Sequence, residues 1–121
     1  MAYGTNMPID YLDVFPILAN ALPDFPATEQ DWQEPLPYIF MSEIVTFVCT
    51  KMSLDSMEHV EPFIALLEKL LTEGDGEIRY LVMDALEFLD EHKQERELIS
   101  SRFGSKTLDL WRQMPHLPPS L

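Results

Sequence analysis

An all-α fold is what this sequence predicts, on three observations. Apolar residues recur at steps of three and four along most of the chain, no stretch alternates convincingly with a period of two, and glycines and prolines stand where the periodic runs stop. About six helices are expected, as antiparallel pairs, in either a short solenoid or a compact helical bundle. A chain of 121 residues, 46% apolar and 11% aromatic, is long enough for one domain with a real core, and its apolar runs argue against disorder.

Tyr11, Val14, Phe15, Leu18 and Leu22 make one apolar face of a first helix, which Pro16 is expected to kink or restart. Pro23, Pro26, Pro35 and Pro37 then bracket an acidic loop holding Asp24, Glu29, Asp31, Trp32 and Glu34. From Pro37 to Met52 the chain is apolar almost all round, apart from a strip of Ser42, Thr46 and Thr50 with Glu43 beside it, so this segment reads as the central buried helix. A third helix from about Met57 to Thr72 packs Val60, Phe63, Ile64, Leu67, Leu70 and Leu71, with Pro62 near its first turn and Gly74 as its stop. Asp75 or Gly76 opens a fourth, to about Glu91, with an inner face of Ile78, Leu81, Val82, Ala85, Leu86 and Leu89. Two shorter helices follow, about Gln94 to Phe103 and Lys106 to Met114, divided by Gly104 as a C-terminal stop and Ser105 as an N-cap. Pro115 to Leu121, with three prolines, reads as an extended tail.

Charge is the second strong signal. Twenty-one acids against eight bases give a formal charge of -13 and a pI near 4.3, which disfavours direct binding to nucleic acid or anionic lipid and makes a basic protein the natural partner. Residues 1 to 92 hold eighteen of the acids and three bases, whereas residues 93 to 121 hold three acids and five bases. A single cysteine, Cys49, excludes an intrachain disulfide, and with no apolar span or leader-like N-terminus the chain reads as soluble and cytoplasmic.

The best-defined surface feature lies on the fourth helix. Glu77, Tyr80, Asp84, Glu87 and Glu91 recur at helical steps and form one stripe about 21 Å long at a rise of about 1.5 Å per residue. Like charges at that spacing cost some helix stability, so the stripe reads either as a solvated face or as an acidic recognition ridge with Tyr80 as its aromatic anchor. A second stripe, Glu58, Glu61, Glu68 and Thr72, occupies the preceding helix. Trp32 is a second candidate contact, or a lid over the core; Trp111 reads as packing.

Signatures of catalysis or metal binding are not expected to emerge. Four glycines at 4, 74, 76 and 104 cannot build a phosphate loop, and histidines at 59, 92 and 116 are too far apart for a paired-histidine zinc motif. Glu58, His59 and Glu61 diverge around a helix, and Asp90, Glu91 and His92 read as a solvated helix end. Cys49 sits among Val45, Val48 and Met52, the setting of an inert core thiol. The expectation is a non-enzyme without cofactor or metal.

The third and fourth helices resemble a HEAT-type repeat. In that family a Leu-rich helix and a short turn lead into Asp, two residues, Val-Arg, two residues, Ala, two residues, Ala-Leu. Asp75-Gly76-Glu77-Ile78-Arg79-Tyr80-Leu81-Val82-Met83-Asp84-Ala85-Leu86 follows it with Ile for Val and Val for the first Ala, within a match of roughly thirty residues from Pro62 to Leu89. The resemblance implies a protein-binding scaffold whose second helices line a concave surface. In size, charge and the closing segment Phe103-Gly104-Ser105 with Leu110-Trp111, the chain also resembles the small acidic immunity proteins encoded beside bacterial polymorphic toxins. Three functions are therefore in competition. The leading one is an intracellular inhibitor, an immunity protein or antitoxin covering the basic cleft of a toxin. The others are a phage-encoded DNA mimic of the anti-CRISPR kind, and a HEAT-like adaptor or assembly subunit in which Met83 and Phe88 would be the exposed contacts.

Overall fold

The computed structural model describes Ile9, residues 13–26 and residues 37–115. Among these the chain is all-α, with six helices: α1 (Val14–Ala21), α2 (Pro37–Ser53), α3 (Val60–Glu73), α4 (Gly76–Glu91), α5 (Arg96–Ser100) and α6 (Ser105–Gln113). Tyr11, the loop around Trp32 and the tail beyond Pro115 lie outside the described residues. No helix among those described is long and apolar enough to cross a membrane.

The helices start and stop for local reasons. Pro16 and Pro62 each stand third in their helix, where the missing N–H is one the first turn leaves unpaired, so Pro16 neither kinks nor restarts α1. No glycine ends α2; its C-terminus is closed by Asp55 in the left-handed region at φ 66°, which Asp tolerates better than most residues. Asp55 N–H donates to the Met52 carbonyl at 2.9 Å and Ser56 N–H to the Lys51 carbonyl at 2.9 Å, the two bonds of a Schellman motif. Gly74 does stop α3, but in extended backbone at φ -85°, ψ 165° rather than as a left-handed cap. Its glycine character serves close approach instead, since a Cβ there would lie 2.5 Å from both the Leu70 carbonyl oxygen and Ile78 Cγ2. Asp75 caps α4 by accepting from the Ile78 N–H at 3.1 Å, and Ile9 pairs across this turn with the Glu73 carbonyl and the Asp75 N–H.

One apolar cluster joins the elements. α2 packs most extensively on α4, burying Phe40, Met41, Ile44, Val45 and Val48 against Ile78, Leu81, Val82, Ala85, Leu86 and Leu89. α3 touches α1, α2, α4 and α6, and its Phe63, Leu66, Leu67 and Leu70 are almost fully buried. Each such side chain withdrawn from water contributes about 1.5–3 kcal/mol before entropy is counted, so this core governs how α4 is rotated. The last two helices separate, α5 resting on α4 and α6 on α3. Met83 and Phe88 are half-buried against the core rather than exposed beside the stripe.

α6 is capped from another helix. Gly104 occupies its N-cap position and Ser105 is its first residue, so Gly104 is not a stop for α5, and Ser105 is not the cap. The capping acceptor is Glu68 of α3, whose carboxylate takes the Lys106 N–H at 3.1 Å, the Thr107 N–H at 2.9 Å and the Thr107 hydroxyl at 2.8 Å. A Cβ at position 104 would stand 2.6 Å from Glu68 Cδ, so the glycine leaves room for the clamp. Burial, the largest single influence, pushes the Glu68 carboxyl up, but the hydrogen bonds from Thr107 and Lys106, helped by the Lys106 charge, outweigh it and hold the group below its ordinary value. Glu68→Ala is expected to cost about 2 kcal/mol, a lost cap plus an orphaned Thr107 hydroxyl. Gly104→Ala should cost less, and the double variant should cost little more than Glu68→Ala alone, which a denaturation cycle measures. A lowered folded pKa contributes stability that is present above the unfolded value of about 4.3 and is lost as pH falls through the folded one. The melting difference between the natural chain and Glu68→Gln should accordingly shrink below about pH 4.

Candidate functional site

Because the inner face of α4 is locked against α2 and α3, its opposite face points to solvent. Glu77, Glu87 and Glu91 are exposed, Tyr80 is 67% exposed and Asp84 is half-buried, so the five residues of the predicted stripe do share one outward surface. Among the described residues, none of these four carboxylates takes part in an ion pair. Arg79, the one base of α4, lines a cavity of about 280 Å³ that reaches α6 through Lys106, Asp109 and Gln113. Glu77 sits at the favourable, positive end of the helix dipole, but Glu87 and Glu91 sit toward its negative end, where carboxylates are disfavoured.

Asp84 registers the strain of this arrangement. Its burial, and then the charge of Glu87, push its carboxyl above the ordinary value. A raised folded pKa means that the fold resists the charged form; the penalty is absent below the unfolded value of about 3.9 and grows as pH rises through it. Asp84→Asn should therefore melt higher than the natural chain at pH 7, with the gap closing near pH 3, as calorimetry at the two pH values would measure.

The second stripe has a different fate. Glu61 pairs with Arg102 at 3.0 Å and Glu68 clamps α6, so these acids bind the basic C-terminal part of the same chain. The end of α4 also departs from the expected solvated terminus. Asp90 is buried, and Arg96 Nη1 donates to its Oδ1 at 2.8 Å and to its carbonyl at 2.7 Å, closing the helix with a cation at its negative end. The internal bridges therefore engage Arg96 and Arg102 with Asp90 and Glu61 rather than with the α4 stripe, whose carboxylates form no ion pair among the described residues.

Among the described residues, two mixed clusters have ligand-bearing atoms within 4.8 Å of one another, and neither follows from spacing in the sequence. In one, His59 Nε2 faces Asp24 Oδ2 at 3.1 Å and Glu58 Oε1 at 3.7 Å, while its buried Nδ1 has no hydrogen-bond partner among the described residues. Asp24, contributed by the turn after α1, replaces Glu61 as the neighbour of Glu58 and His59. In the other, Cys49 of α2 meets His92 and Glu95 from the α4–α5 connection. Burial, and then the charge of Glu95, push the Cys49 thiol up to about 12, so it is protonated at neutral pH and is not poised as a nucleophile.

Residues 12–117 match a family model described as a domain of unknown function, DUF7674. The chain belongs to the DUF7674 family. The matched span takes in all six helices of this DUF7674 chain, and with them the α4 stripe, the Glu68 clamp and both ligand clusters. Neither a curated protein nor a solved structure matches it.

Proposed function

We propose that this DUF7674 chain is an intracellular protein inhibitor, an immunity protein or antitoxin, that captures a basic partner on the α4 ridge. The observation that carries this reading is the set of four carboxylates of Glu77, Asp84, Glu87 and Glu91 flanking an exposed Tyr80, none of them in an ion pair among the described residues. The ridge costs the free protein stability at Asp84 and at the end of α4, a cost that a cationic partner would offset. A toxin that acts on nucleic acid offers such a surface, since its cleft carries the Lys and Arg that bind phosphate. Opposite charge gives fast, salt-sensitive association, and inhibition follows from occlusion of the cleft. The Asp75-to-Leu86 likeness to a HEAT-type second helix fits the same role, with α4 as the partner-facing element.

The test is an activity titration with the purified partner. Stoichiometric loss of its activity as this chain is added, relieved by duplex DNA, supports an inhibitor of a nucleic-acid-directed toxin. A partner that stays fully active in a saturated complex would reassign the chain to an adaptor.

A further inference from the structure

Cys49 is a buried residue of α2, yet its Sγ is within 4.8 Å of ligand atoms of His92 and Glu95, which belong to the connection leaving α4. These three side chains join two separate elements. The His92 and Glu95 positions are fixed by the backbone: the His92 N–H donates to the Leu89 carbonyl at 2.9 Å, and the His92 carbonyl accepts from the N–H groups of Glu95 at 3.1 Å and Arg96 at 2.9 Å.

Their geometry suits a shared ion better than direct contact. His92 Nδ1 and Glu95 Oε1 are 3.8 Å apart, too far for a hydrogen bond. Tetrahedral Zn²⁺, with bonds of about 2.0–2.2 Å to nitrogen and oxygen and about 2.3 Å to sulfur, holds such atoms roughly 3.3–3.6 Å apart. From separations of at most 4.8 Å, a contraction of no more than about 1.5 Å brings all three into that range. Cys49 is almost fully buried, whereas the side chains of His92 and Glu95 are 31% and 17% exposed, which leaves an approach from solvent and a fourth position for water.

We propose that Cys49, His92 and Glu95 form a three-ligand site for a thiophilic divalent metal of the Zn²⁺ class. The thiol proton leaves to water as the metal–sulfur bond forms, without change of oxidation state. Thiolate and imidazole together select Zn²⁺ over Mg²⁺ or Ca²⁺, which prefer all-oxygen sites. The site staples the end of α4 to α2, and so holds the last turn of the acidic ridge, at Glu91, in place. It stands independently of what the ridge binds. The His59, Asp24 and Glu58 cluster is the weaker candidate, because its two carboxylates are 65% and 70% exposed and no thiolate is present.

Titration of the 121-residue chain with Co²⁺, followed by displacement with Zn²⁺, tests this. The expected result is one ion per chain, a thiolate-to-cobalt charge-transfer band and a higher melting temperature with metal. Cys49→Ser should abolish the band, and His92→Gln should weaken binding at least about tenfold, while His59→Gln changes neither. Far-UV circular dichroism of each metal-free variant establishes that it is folded, and if Cys49→Ser is not, the partly exposed His92→Gln decides. Absence of a charge-transfer band in the natural chain, or undiminished binding in His92→Gln, would overturn the site. Binding without the band that is lost in His59→Gln would place the metal at Asp24 and Glu58 instead, and equally overturn it.

Discussion

A triple variant carrying Glu77→Lys, Asp84→Lys and Glu87→Lys is expected to lose its basic partner, with affinity lower by roughly a thousandfold or more. Placing like charges against each other across an interface costs several kcal/mol, and each 1.4 kcal/mol is about a factor of ten. The effect should fall on the association rate as well as on lifetime, since the ridge steers the encounter, and it should be largest at low salt. Fold stability should change little, because Glu77 and Glu87 are exposed and none of the three carboxylates forms an ion pair among the described residues. The base placed at 87 would face Glu91 one turn on, while the like-charge pair at 84 and 87 keeps its repulsion with the sign reversed, so these small helix terms largely offset one another. Tyr80→Ala probes the same surface without altering charge. An exposed Tyr that becomes buried at the centre of an interface is worth about 2 kcal/mol, and its loss should shorten the complex lifetime while leaving the salt dependence intact. Surface-plasmon measurements at two ionic strengths separate the two variants.

The largest expected effect on folding belongs to Arg96→Leu. Arg96 and Asp90 are 11% and 7% exposed at their side chains, and the guanidinium serves both the Asp90 carboxylate and the Asp90 main-chain carbonyl at the end of α4. Removing one member of a buried pair typically costs about 3–5 kcal/mol, because the other charge stays buried. For a chain of this size that lowers the melting temperature by roughly 10–20 °C. Adding Asp90→Asn to Arg96→Leu should recover part of the loss, since an amide costs less to bury than a carboxylate. A double variant as unstable as Arg96→Leu would show that packing of the Arg96 stem, rather than the charge pair, carries the effect. Thermal melts of the three variants distinguish these cases.

What could be read from the sequence is what depends on period. The faces of α3 and α4, the burial of α2 and the outward direction of the Glu77-to-Glu91 stripe all follow from apolar spacing, and the structure places those residues accordingly. Asp75 as the α4 cap was legible too, because capping is a matter of three residues. Contacts between distant segments were not. Glu68 caps α6 from thirty-eight and thirty-nine residues away, so Gly104 resembled a helix stop and Ser105 a local cap; a glycine at a cap position with no side-chain acceptor of its own was the available signal. Asp90 looked solvated because it stands at a helix end among charges, and only the fold brings Arg96 back onto it. The same holds for Cys49, His92 and Glu95, whose nearness arises from α2 packing on α4. Trp32, a contact candidate from its acidic, proline-bracketed loop, lies outside the described residues.

The central claim is that the α4 ridge holds a basic protein, and the most direct measurement is paired affinity capture from native lysate. The natural chain and the triple lysine variant are immobilised side by side, at low and at high salt, and bound proteins are identified by mass spectrometry. The account predicts one basic protein retained by the natural chain at low salt, released at high salt, and absent from the variant under both conditions. A partner retained equally by both chains, or one that holds through high salt, would contradict it and move the binding surface away from the ridge.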